Sequence, residues 1–280
     1  MKNDIRVSKK QIEELCQILS DRDKAILYSL QKCRYLTTKQ IGRLHFTNLS
    51  TPTAAIRVTS RVLKRLREHG LIGTLKRQIG GVRAGSSGFI WSLTLAGFKL
   101  LNLDKGEDTG RKRFYEPSAH YVEHTLLVSE AYLQMLEICN KHSMTLAAAD
   151  PEPMSWRHYT GRQGKKITMR PDLYAITQGG GYEDRWFMEL DRATESTTQV
   201  LNQCEQYMRY FQSGAEQKRH GVFPYVLWIV PNDKRKTDLK GKIRDQHARD
   251  PKIFIVITPD ELETLVVGGV EEYMKKVNPP

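Results

Sequence analysis

Residues 51–91 narrow most sharply what this chain can fold into. The stretch opens TPTAAIRVTSRVLKRLREHG, which has the marks of a helix with defined ends. Ser50 or Thr51 is placed to cap it. Pro52 suits the first position, where an N–H would have no partner anyway, and Gly70 suits a left-handed stop. At 3.6 residues per turn, Ala55, Val58, Thr59, Val62, Leu63 and Leu66 share one face. Arg57, Arg61, Lys64 and Arg65 fall on the opposite face. One side of this helix is therefore core and the other is cationic. Two strand-like runs follow, 71–77 and 89–93, joined by a Gly/Ser loop that carries Arg83.

A basic helix face taken alone is ordinary solvated surface, because long cationic side chains reach water in any case. What surrounds this one changes the weight. Upstream, Ile12, Leu15, Cys16, Ile18 and Leu19 are in helical phase. A second helix starts at Ser20 or Asp21 and runs through Ala25, Ile26, Leu27 and Leu30. Thr37 or Thr38 caps a short third helix containing Ile41 and Leu44. Helix, turn, short helix, loop, basic helix and glycine-rich basic hairpin together form the pattern of a winged helix-turn-helix. In that pattern the basic helix enters the major groove of double-stranded DNA and the hairpin lies on the flanking backbone. Arg57 and Arg61, nearer the helix start, are the expected base contacts. Lys64, Arg65, Arg77 and Arg83 are the expected backbone contacts. Residues 94–103 read as a further, structural helix behind the hairpin.

The charge distribution agrees. Residues 1–113 hold 23 Lys+Arg against 9 Asp+Glu, a net +14, and residues 114–280 hold 21 against 23, a net −2. The whole positive excess thus sits with the helical motif, which favours an anionic partner there. A membrane surface fits less well, since the helix lacks the Trp/Phe face of an interfacial anchor. No run reaches the roughly 18 apolar residues of a membrane span. Cys16, Cys33, Cys139 and Cys204 form no CxxC pair, and this usage suits a reducing cytoplasm.

Residues 104–118, DKGEDTGRKRFYEPS, are polar and poor in apolar residues. They read as a linker between a domain over 1–103 and another over 119–280, and the basic cluster Arg111, Lys112 and Arg113 reads as solvated. Beyond it come an amphipathic helix over 120–141, strands over 145–149, 167–177 and 185–190, and a helix over 196–212 capped by Ser196 or Thr197. Strands over 223–230 and 253–258 flank a helix over 236–249, and Thr258 with Pro259 opens a last helix. This order describes an α/β domain with a strand meander first and parallel crossovers later.

That domain carries RPDLYAI and then WFMELDRATES. Asp172 stands near the start of one strand, and Glu189 and Asp191 near the end of the next. Residues two apart on a strand share a face. If the strands pair as a hairpin across GGGYEDR, the three carboxylates converge at a sheet edge as a hard-oxygen site for Mg2+ or Mn2+. No nucleophile elbow is present, and the GGG at 179–181 precedes no helix and is no phosphate loop.

Pro171-Asp172, a hairpin and Glu189 within an αβββαβ order resemble the PD-(D/E)xK nuclease superfamily. Gln203 and Tyr207 match the QxxxY element of its RecB-like members. The family's lysine falls at position 191, where this chain has Asp191. Lys165, Lys166 and Arg192 are the nearby cations, with Arg192 facing the other side of the sheet. The resemblance thus implies the fold more firmly than the activity. A more specific likeness spans roughly residues 20–230. Phe89, Trp91, Leu93, Thr94 and Gly97, followed by Arg170, Pro171 and Asp172 and then Glu189, Asp191, Arg192 and Thr194, resemble the replication-relaxation proteins of Gram-positive plasmids and integrative elements. It implies a role in plasmid or mobile-element replication, copy control or DNA relaxation.

The leading expectation is a DNA-binding protein, with no certain cofactor, whose degenerate nuclease-like domain serves as an assembly platform. Its partners would be double-stranded DNA, a second copy in a homodimer, or replication or transfer proteins. One alternative is a Mg2+- or Mn2+-dependent endonuclease that nicks DNA through Asp172, Glu189 and Asp191. Another is a transcriptional regulator whose α/β domain binds a ligand or a second copy.

Overall fold

Short polar side chains start the helices of this chain. Ser8, Ser20 and Thr37 each accept a backbone N–H three residues on, and the third residue of the helix answers from its own side chain. These capping boxes open α1 (Lys9–Ile18), α2 (Asp21–Cys33) and α3 (Thr38–His45). Each satisfies end groups that would otherwise cost about 1 kcal/mol. The computed structural model describes residues 7–49, 51–75, 88–103, 117–161, 164–248 and 252–277. Ser50, Arg77, Arg83 and nearly all of the expected linker lie outside the described residues. The chain is a mixture of helices and several sheets in two units, Met1–Leu133 and Gln134–Pro280.

In the first unit, Thr51 caps α4 (Pro52–Glu68), with Pro52 in its first turn. Gly70 follows the helix at φ +73°. Thr59, Leu63 and Leu66 are fully buried, and the two leucines join Ile26, Leu27, Leu30, Leu36 and Ile41 in one core. Each fully buried aliphatic side chain there contributes about 1.5–3 kcal/mol. Ile18, in phase with the apolar face of α1, is instead 70% exposed at the end of that helix.

Strands β1 (Leu36–Thr37), β2 (Ile72–Thr74) and β3 (Ile90–Leu93) form an antiparallel sheet in the order β1-β3-β2, with Leu36 opposite Trp91 and Ile72 opposite Leu93. The motif residues around β3 hold this sheet to the helices. Trp91 Nε1 donates to Thr38 Oγ1 at 2.9 Å. Thr94 donates its N–H to the Leu71 carbonyl and its hydroxyl to the Gly70 carbonyl, and it caps α5 (Leu95–Leu101). A Cβ at Gly97 would stand 2.2 Å from the Leu71 oxygen, so only glycine lets α5 approach so closely.

The division between the units falls later than the linker that the sequence marks. It lies inside α6 (Ala119–Lys141). The early turns of that helix bury Val122 and Leu126 against Leu75 and Ile90. Gln40 and Arg43 of α3 also reach Glu130.

The second unit is built on a five-stranded sheet in the order β10-β9-β8-β7-β4. Strand β7 (Leu173–Gly179) is antiparallel to both β4 (Thr145–Pro151) and β8 (Tyr182–Leu190). Strands β8, β9 (Tyr225–Ile229) and β10 (Phe254–Ile257) run parallel. The run 167–177, expected as one strand, is two. It breaks at Arg170-Pro171-Asp172 into β6 (Lys166–Met169) and β7, because Pro171 has no N–H to continue a ladder. Strand β6 pairs with β5 (Arg157–Thr160), a strand the sequence reading does not contain. Helix α7 (Thr197–Ser213) is capped by Ser196 and stops at Gly214, after which come α8 (Ala215–His220), also not expected, and Gly221. Helix α9 (Asp233–Gln246) is capped by Asn232, and α10 (Leu262–Val277) follows a 3-10 turn at Pro259–Glu261. Val200, Cys204, Tyr207 and Met208 of α7 and Leu239 and Ile243 of α9 share a core with Phe187, Val226 and Trp228 of the sheet. Cys16 is half-buried, the other three cysteines are buried, and all four are free thiols. No described helix is long and apolar enough to cross a membrane.

Candidate functional site

Two places in the molecule carry the residues singled out by sequence. The first is the outer face of α4. With Thr59, Leu63 and Leu66 turned inward, helical geometry turns Arg57, Arg61 and Lys64 outward, and all three are exposed. Arg57 and Arg61 have no hydrogen-bond or ion-pair partner among the described residues. Lys64 stands 3.9 Å from Glu68 in a fully solvated i,i+4 pair, a contact worth little. Arg65 differs. Its Nη2 lies 2.6 Å from Asp23 Oδ1, and the Asp23 side chain is only 4% exposed. Asp23 is the residue that closes the capping box of α2. Arg65, grouped by its spacing with the outward cations, thus joins α4 to α2.

The second place is the carboxyl end of β8. The β7–β8 register sets Leu173 opposite Met188, so Asp172 comes level with Glu189, and Asp172 Oδ2 accepts the Leu190 N–H at 2.8 Å. Glu189 points to the α7 side of the sheet and is 4% exposed. It receives the Tyr207 hydroxyl and a hydrogen bond from the Gln203 side chain. The four residues Asp172, Glu189, Gln203 and Tyr207 are therefore brought together. Burial holds the Glu189 carboxyl well above the usual carboxylate range. The nearby Asp172 charge adds to that, and the Tyr207 and Gln203 hydrogen bonds oppose it. The same burial, with the Glu189 charge beside it, pushes the Tyr207 hydroxyl up and the Cys204 thiol to about 12.

Asp191 takes another partner. It follows β8, its N–H donates to the Ile229 carbonyl at 3.0 Å, and its side chain is buried. Arg235 in the first turn of α9 donates to both of its carboxylate oxygens, Nε to Oδ2 at 2.6 Å and Nη2 to Oδ1 at 3.4 Å. The Ala193 N–H adds a third bond to Oδ1. Arg235 is the residue sequence reasoning missed. It lies 44 positions from Asp191, and only the parallel β8–β9 pairing and the Asn232 cap bring it there.

A carboxylate already bridged by a guanidinium on both oxygens does not fit the donor set of a three-carboxylate Mg2+ or Mn2+ site. Among the described residues, no three His, Cys, Asp or Glu side chains form a group that could hold a metal ion. What remains is a hydrogen-bonded carboxyl pair, Glu189 buried and Asp172 half-buried, with burial raising the Glu189 pKa.

A family model described as replication-relaxation matches residues 27–226, from α2 to β9. No curated protein and no solved structure matches the chain.

Proposed function

The chain belongs to the replication-relaxation family, and on that premise we propose that it is a duplex-DNA-binding protein of a plasmid or other mobile element, acting in replication, copy control or DNA relaxation. In this reading α3 and α4 are the two limbs of a winged helix-turn-helix. Helix α4 enters the major groove, and β2 and β3 form the base of the wing. The observation that carries the reading is the pair Arg57 and Arg61, exposed and without partners among the described residues, on a helix whose other side is core. The β1-β3-β2 order beside three helices supports it. Arg77 and Arg83 belong to the same reading as backbone contacts.

The second unit is read as a PD-(D/E)xK-like fold. In support, α6, β4, β7, β8, α7 and β9 run in the order αβββαβ, with β5 and β6 as an insertion. The Asp191–Arg235 pair and the raised Glu189 favour a platform for replication or transfer partners over an active nuclease.

The test is a salt titration of binding to duplexes from the parent element, using the full chain and an Arg57→Ala, Arg61→Ala double variant. The double variant is expected to bind at least about ten-fold more weakly, with a shallower dependence of log K on log salt. Unchanged binding removes α4 from the DNA interface. In parallel, supercoiled plasmid is incubated with Mn2+, Mg2+ or EDTA beside the Glu189→Ala variant. Metal-dependent nicking that this variant loses would replace the platform reading with the endonuclease.

A further inference from the structure

On the outer side of α4 one residue is out of character with its neighbours. Ile56 is 52% exposed. It sits in the second turn of the helix, at the border between the buried stripe and the cationic face. Arg57 follows it, Ser60 lies one turn on, and both are exposed. The core of the first unit is closed without it, through Thr59, Leu63 and Leu66. Isoleucine is also a weaker helix former than the Leu, Lys or Arg used elsewhere in α4, so helix propensity does not account for it.

A single exposed apolar residue is ordinary on a protein surface. The position of this one is not neutral. The first turns of a helix seated in the major groove approach base edges, whereas later turns and the cations beside them approach phosphate. In the major groove the C5-methyl of thymine is the apolar feature among the four bases, and it is met by apolar side chains. We propose that Ile56 reads thymine: its branched side chain packs on the C5-methyl of one thymine while Arg57 and Arg61 hold the adjacent groove. This inference rests on α4 being the DNA-reading helix, and it names the chemistry that helix selects.

The full chain is used to select bound sequences from a random duplex pool. Each thymine of the selected site is then replaced singly by deoxyuridine, which removes only the methyl group. The wild-type protein is expected to lose about four-fold in affinity at one position, the size of one buried methyl. Ile56→Ala is expected to bind the thymine and uracil duplexes equally at that position, while keeping any thymine preference it shows elsewhere. Because Ile56 is exposed, its variant should unfold at the wild-type temperature, which verifies the fold. If no thymine-to-uracil change affects the wild type, or if Ile56→Ala discriminates as well as the wild type, the proposal is overturned with DNA reading by α4 intact. If the Arg57→Ala, Arg61→Ala protein binds as the wild type does, α4 is not the reader and the proposal falls with that reading.

Discussion

Two helices of this chain are strongly cationic, and their cations do different things. Helix α4 carries Arg57, Arg61, Lys64, Arg65 and Arg67, and α9 carries Lys234, Arg235, Lys236, Lys240, Lys242 and Arg244. In α9, Arg235 is fixed on Asp191 and Lys236 on Glu261, while Lys242 and Arg244 make only exposed pairs, with Asp238 at 2.9 Å and Asp245 at 3.2 Å, and Lys234 is exposed. In α4, Arg57 and Arg61 face solvent without a partner among the described residues. A count of cations would have ranked α9 first. The difference lies in the acids supplied to each helix. Asp233, Asp238 and Asp245 are interleaved within α9, and Asp191 and Glu261 meet it from outside, while α4 has only Glu68 of its own and, among the described residues, meets Asp23 through Arg65 alone. Positive charge in sequence stays available to an anionic partner only where the fold leaves it unneutralised.

The sharpest way to break this contrast is Arg235→Ala. The Asp191 side chain is buried and would be left without its counter-charge, so the variant should lose about 3–5 kcal/mol of stability. Urea denaturation of the full chain measures this. A loss below about 0.5 kcal/mol, the scale of an ordinary surface change, would mean that Arg235 is no more engaged than a surface cation. The opposite helix should show the opposite split. Arg57→Ala with Arg61→Ala should leave the urea midpoint unchanged and weaken DNA binding by about ten-fold or more. A double variant that unfolds early would show that the two arginines hold the first unit together and are not open.

Carboxylates extend the comparison. Glu189 and Asp191 stand two residues apart at and just past the end of β8, and one is held by hydrogen bonds beside a like charge while the other is held by a cation. Because burial and Asp172 raise the Glu189 pKa in the folded chain, the folded state binds the proton more tightly than the unfolded state does. That contribution to stability is complete below the ordinary glutamate range. It is lost as pH rises from there through the raised folded value. Glu189→Gln keeps a side-chain oxygen for Tyr207 and cannot ionise. Its stability should therefore fall less steeply with rising pH than the wild type's. Parallel curves for the two proteins would show that Glu189 titrates as it does in the unfolded chain.

What was legible in the sequence was local. The caps at Ser20, Thr37, Thr51 and Ser196 depend on side chains within three residues of the backbone they serve, and each is one of the two adjacent positions the sequence offers, while the stop at Gly70 depends on its own backbone freedom. The level placement of Asp172 and Glu189 follows from a hairpin, so spacing was enough for it, whereas Gln203 and Tyr207 were marked only by a resemblance and their contacts to Glu189 come from the packing of α7 on the sheet. Strands β5 and β6 were harder, because RHYT and KITM are short and carry few apolar residues; their support is the aromatic cluster around Tyr159 and Tyr210. The Asp191–Arg235 pair was not legible, since nothing within either segment requires the other. It needs the parallel β8–β9 crossover, a contact made only in the folded sheet.

Arg65 gives the finest test, because it belongs to α4 by sequence and to the pattern of α9 by chemistry. Its guanidinium is about half exposed and bound to a nearly buried Asp23. Solvent screens such a pair, so Arg65→Ala should cost about 1 kcal/mol or less in stability. Its effect on DNA binding should be smaller than that of either Arg57→Ala or Arg61→Ala, since a cation already neutralised by Asp23 releases little counterion on meeting phosphate. Measured side by side at several salt concentrations, the three single variants separate two accounts of α4. If Arg65→Ala flattens the salt dependence as much as Arg61→Ala does, the helix acts through its total charge, and the Asp23 pair opens on binding. If Arg65→Ala leaves the salt dependence unchanged and lowers only stability, pairing within the fold decides which cations of a basic helix meet DNA.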